Sequence, residues 1–129
     1  MNPKILLRKL NSYRPKRIES FVRESVTLFS NQGQLFSAEN RVLLKPNLLR
    51  GFSPERCVTT HPAVIDAVCR VLKDLGVKRI DLSDSPAIGS LLVVARKAGY
   101  GEATNHSQKP ISFRSAAYTW SIINESNRF

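Results

Sequence analysis

Residues 58–76, VTTHPAVIDAVCRVLKDLG, decide how this chain is read. Val64, Ile65, Val68, Val71, Leu72 and Leu75 recur at three- and four-residue steps, which places them on one stripe of an α-helix. Thr60 is a natural cap. Pro62 suits the first turn, where its missing N–H costs nothing, and Gly76 ends the run. Asp66, Arg70 and Asp74 follow at four-residue offsets on the opposite, solvated side. A helix apolar on one side must be covered there by another layer of structure.

The flanks supply that layer. Before the helix, RVLLK (41–45) is apolar at consecutive positions, the pattern of a strand in a parallel sheet covered on both faces. After it, KRIDLSD (78–84) reads as a second short strand, and SLLVVARKAGYG (90–101) as a helix closed by Gly99. Leu91, Leu92, Ala95 and Ala98 form the expected buried face of that helix, with Arg96 and Lys97 towards water. Upstream, Pro15 opens a helix with Ile18, Phe21, Val22, Val26 and Phe29 on one side, a Glu19–Arg23 pair at i,i+4, and Gly33 as its stop.

Strand, helix, strand is a βαβ unit with a right-handed crossover. The expected fold is therefore α/β: three-layer, with a mainly parallel sheet built on that unit, Rossmann-like but without GxGxxG, and incomplete. Residues 1–14 form a basic amino-terminal arm, 15–104 the α/β domain, and 105–129 an irregular tail. The tail has one candidate strand near Ile111–Phe113 and reads as truncated.

A chain of 129 residues with 42% hydrophobic content suits one domain with its own core. It has neither an apolar run long enough to span a bilayer nor the cleavage pattern of a signal peptide, so the expected location is cytoplasmic. The net charge is +10 and uneven. Residues 1–50 hold ten Lys and Arg against three Asp and Glu, and Lys4, Arg8, Lys9, Arg14, Lys16 and Arg17 all precede the first acid, Glu19. Such an arm attracts nucleic acid, an acidic membrane surface or an anionic ligand, or is simply a solvated basic segment. Zinc-finger spacing, an aromatic RNP-like cluster and a GXXG loop are all missing, so nucleic-acid binding rests on charge alone. The two cysteines, Cys57 and Cys69, match no zinc or redox spacing. Cys69 lies on the apolar side of the central helix as a core thiol, and Cys57 lies in a polar loop.

Ligands of parallel α/β sheets bind outside the carboxyl ends of the strands. That edge gathers Lys45, Pro46 and Asn47 from the first strand, Thr59, Thr60 and His61 at the helix start, and Asp84 and Ser85 from the second strand. Pro46 cannot donate to a ladder and marks the strand end. Lys45, Asn47 and the unpaired N–H groups of a helix start suit a small anion. Asp84 could orient Lys45 or, with Ser85 and a phosphate, hold a cation. Structural roles stand beside these: Thr60 as a cap, His61 as a first-turn residue, Asp84 and Ser85 as a turn into the last helix, and Lys45–Asp84 as an ion pair. A Ser85–His61–Asp84 triad lacks the GxSxG elbow, and the missing GxxxxGK[ST] and GxGxxG loops disfavour ordinary ATP or NAD binding.

In order, VLLKPNLL (42–49), VTTHPAVIDAVCRVLKDLG (58–76), DLSDSP (81–86) and AGYGEA (98–103) resemble the family called domain of unknown function 362. The resemblance covers about Tyr13 to Ala103 and implies the amino-terminal portion of a longer protein. Ser83 stands where such sequences often have glycine. Some relatives carry ferredoxin-like cysteine clusters, which implies a redox-linked or iron–sulphur-associated enzyme; the cysteines for a cluster are missing from this chain, so its cofactor is unknown. Three readings follow: binding of a small anion at the sheet edge, binding of nucleic acid or an acidic partner through the basic arm, and a fragment without independent activity. Substrate, metal use and oligomeric state do not follow from the sequence.

Overall fold

In a computed structural model the chain is described over residues 4–31 and 34–100 and, for its backbone, 112–115. The elements run α1 (Pro15–Phe29), β1 (Arg41–Leu44), a 3-10 turn (Pro54–Arg56), α2 (Pro62–Asp74), β2 (Arg79–Asp84), α3 (Leu91–Lys97) and β3 (Ser112–Ser115). The three strands form a parallel sheet in the order β1-β2-β3. This is the expected α/β arrangement on a βαβ unit, with α2 connecting β1 to β2. The third strand starts one residue and ends two residues beyond the stretch that signalled it.

Register fixes which side chains meet the helices. Val42 pairs with Ile80 and Leu44 with Leu82, and all four belong to or pack against one core cluster. Leu48, Ile65, Cys69, Leu72, Val77, Leu91, Val94, Ala95, Ala98 and Tyr100 complete that cluster. Alternation sends Leu43, Asp81 and Ser83 to the other face. Leu43 is half exposed there, because β1 is the outer strand among the described residues. Asp81, on the central strand, is buried and accepts from Arg41 Nε at 2.5 Å. The consecutive apolar run of β1 therefore indicated a parallel strand correctly, but not burial of both faces.

Helix ends follow their local chemistry. Gly76 takes a left-handed φ of 93° after α2; its N–H donates to Lys73 O and Val77 N–H to Leu72 O, the paired bonds of a Schellman ending. Gly99 ends α3 in the same conformation, with φ of 81°. There, an added Cβ would sit 3.3 Å from Pro54 and 3.4 Å from Pro62. In α3, Val94 rather than Leu92 is buried beside Leu91, Ala95 and Ala98. In α1, Pro15 occupies the first turn and Glu19 accepts from Arg23 at 3.1 Å, as expected. The helix stops at Phe29, and Gly33, the expected stop, lies outside the described residues. Arg23 also pairs with Asp74 at 2.5 Å, linking α1 to α2 across an exposed seam.

Candidate functional site

β1 and β2 end side by side, so Lys45 and Asp84 emerge at one edge. Lys45 Nζ donates to Asp84 Oδ1 at 2.6 Å. The second carboxylate oxygen accepts the backbone N–H of Leu48, also at 2.6 Å, and the backbone N–H of Ser85 reaches the same carboxylate. Leu48 is wholly buried and Asp84 is 7% exposed. Burial alone would raise the Asp84 carboxyl; the Lys45 hydrogen bond and the two backbone donors outweigh it and hold the group below its ordinary value. Lys45 is different, because its side chain is 73% exposed. An ammonium has three donors, and the contact with Asp84 Oδ1 uses one of them.

A second pair of bonds closes the loop that follows. Thr60 N–H donates to Asn47 O and Asn47 N–H to Thr60 Oγ1, each at 3.0 Å. Asn47 Nδ2 adds a longer bond to Val58 O. This clasp gives the Thr60 hydroxyl a role other than the expected cap. The cap is His61, whose Nδ1 accepts from Ala63 N–H at 3.2 Å. A ring nitrogen that accepts carries no proton, so the neutral tautomer has its proton on Nε2. Burial pushes His61 below its ordinary value, against the opposing charge of Glu55.

Leu48 joins the two groups: its own N–H goes to Asp84, and the residue before it is held by Thr60. Ser85 is exposed beside Asp84. Thr59 Oγ1 is buried without a hydrogen-bond partner among the described residues. With Asp84 engaged by Lys45 and Leu48, and His61 Nδ1 by Ala63, a Ser85–His61–Asp84 relay is not assembled.

Two tyrosines that the sequence did not single out support the site. Tyr100 is fully buried and donates its hydroxyl to Thr60 O at 2.7 Å; burial drives its phenol far up. Tyr100 is the second residue past Ala98, the C-cap of α3, where glycine-ended helices often place an apolar side chain, and that signal could have found it. Tyr13 stacks on His61 with ring centroids 3.6 Å apart and planes 5° from parallel. No local pattern signals a contact between residues so distant in sequence.

Among the described residues, no three His, Cys, Asp or Glu side chains gather as metal ligands. Cys57 is exposed, whereas Cys69 is core-buried with its thiol pushed up to about 11 by burial. These two cysteines do not fit an iron–sulphur cluster held by thiolates, which needs about four.

The family model described as Domain of unknown function (DUF362) matches residues 42–122, well over half of the chain. The chain belongs to this family. Within the domain of unknown function 362 match lie β1 from its second residue, the clasped loop, α2, β2, α3 and β3. The chain is also 34% identical over 115 residues to the thylakoid-associated protein sll1697 of Synechocystis sp.. That match covers 88% of this chain and 36% of the relative, so the chain corresponds to about a third of the relative's length. No solved structure matches it.

Proposed function

We propose that the chain binds a small anionic ligand at the carboxyl edge of its parallel sheet. Lys45 is the cation of this site. Ser85 and Thr59 supply neutral donors beside His61 at the helix start, where the Ala63 and Val64 N–H groups are already taken by His61. Asp84, Asn47 and Thr60 form the frame. The observation that carries the reading is that Lys45 is fixed by a buried carboxylate yet 73% exposed. A lysine held at its tip and open to water meets an anion with little further loss of side-chain freedom. The unpartnered Thr59 hydroxyl lends support, since a buried donor without an acceptor is costly.

Titration with inorganic phosphate and with citrate, followed by backbone amide NMR, tests the site. Saturable shifts at residues 45–47, 59–63 and 84–85 that disappear in Lys45→Gln are expected. Saturable binding unchanged by Lys45→Gln and Ser85→Ala would exclude it. In this reading the domain works in the cytosol, as one part of a redox-linked or iron–sulphur-associated enzyme whose cluster ligands lie outside these residues.

A second reading concerns location. The Synechocystis relative is named for its association with thylakoids. Among the described residues no helix is long and apolar enough to cross a membrane, and the chain is strongly basic, which favours attachment at a membrane surface. Recovery in a membrane fraction that salt releases is the expected result of cell fractionation. Absence from that fraction would count against it.

A further inference from the structure

Two leucines of the basic arm are tucked against the domain, while most of its other described residues are exposed. Leu6 and Leu10 are half-buried, and Arg8 between them is held by Glu24 and lies 5.6 Å over the Phe21 ring of α1. Leu10 lines a hollow of about 700 Å³ with Phe21, Val22, Val26, Val64 and Val68, and Tyr13 fastens the end of the arm to His61. On the other side of the segment Ile5 is 88% exposed and Leu7 is 90% exposed. This is how an extended segment lies when one of its sides rests on a surface.

Scattered exposed aliphatic residues need no explanation. Here, however, two large ones project together from a tethered segment, flanked by the exposed Lys4 and Lys9. We propose that Ile5 and Leu7, with Lys4 and Lys9, form the surface by which this chain seats on an anionic lipid bilayer. The aliphatic side chains enter the boundary between headgroups and acyl chains, and the lysines meet the lipid phosphates. Nucleic acid would attract the same lysines, but its backbone has nothing to bury Ile5 and Leu7 against; a bilayer uses both kinds of side chain. The proposal rests on the second reading above and gives it a surface and a lipid class.

The test is co-sedimentation of the full chain with phosphatidylcholine vesicles, with and without phosphatidylglycerol, at low and physiological ionic strength. Binding is expected only with phosphatidylglycerol present. The Ile5→Ser/Leu7→Ser variant should partition about tenfold less or worse, because it loses the buried aliphatic groups. Lys4→Gln and Lys9→Gln should each weaken binding about fivefold at low salt. Both aliphatic side chains are exposed, so circular dichroism of the serine variant should match the parent.

If the parent chain ignores phosphatidylglycerol, this surface and the membrane reading fall together. If it binds but the serine variant binds equally, this surface falls and membrane attachment stands. Binding to duplex DNA instead of vesicles, unchanged by the two serines, would assign the arm to nucleic acid and overturn the proposal.

Discussion

Asp84→Ala separates what the Lys45–Asp84 contact does for stability from what it leaves free for a ligand. The substitution removes the acceptor of three donors. Ser85 is exposed, so water replaces the carboxylate at its N–H. Lys45 is mostly in water already, and its share of the ion pair is worth no more than about 1 kcal/mol. Leu48 cannot be rehydrated: it is fully buried, and its orphaned N–H costs about 1–3 kcal/mol.

The total expected loss is about 1–4 kcal/mol, carried chiefly by a backbone amide and not by the charge pair. Lys45→Met should cost under about 1 kcal/mol, and the double variant should resemble Asp84→Ala alone. Urea unfolding followed by far-ultraviolet circular dichroism measures all three. A loss near zero for Asp84→Ala, or one for Lys45→Met as large as for Asp84→Ala, would refute the reasoning. The sign of the pH dependence follows. The folded carboxyl is depressed, so its contribution is present above the ordinary carboxylate value and is lost as acid carries the pH through the lower folded value.

Three further outcomes follow. His61 is also depressed in the fold and caps α2 through an unprotonated Nδ1, so its contribution should be full above about pH 6.5 and decline as pH falls through the folded value. Melting temperature against pH should record that decline, and His61→Ala should flatten it. Cys57 is exposed and Cys69 is buried with a raised thiol, so Ellman's reagent should label one thiol quickly in the native chain and the second only on denaturation. Two fast thiols would contradict the core. Tyr100→Phe removes the donor to Thr60 O and should lower stability by about 1 kcal/mol in the same urea assay. A neutral result would mean that this bond does not brace the helix start.

Much of this fold was legible because its signals are local. Pro62 and Gly76 bracket α2 by what each backbone permits, and the apolar run of β1 announced a parallel partner 38 residues away. Reading failed where two local solutions compete. Thr60 and His61 can both cap α2, and the choice falls to His61 because the Thr60 hydroxyl is taken by Asn47 across the loop. Leu92 and Val94 fit the helical period of α3 almost equally, and the sheet beneath decides for Val94. At the site, strand-end topology anticipated the meeting of Lys45 with Asp84. It could not anticipate that Leu48 would bring its amide to the same carboxylate, since backbone donors leave no mark in the sequence.

The clasp between Asn47 and Thr60 makes the loop between them nearly independent of the fold around it. It pins both ends of residues 48–59 within two hydrogen bonds, so the length of the intervening loop hardly enters the stability of the fold. Doubling such a loop costs only about 0.6 kcal/mol in closure entropy. In this chain, residues added between Leu49 and Cys57 should therefore cost little, provided the Ala87 N–H bond to Leu49 O and the seat of Pro54 beside Gly99 are kept. The frame of Leu48, Asp84 and Thr60 is held by its own bonds and does not depend on how many residues the loop carries.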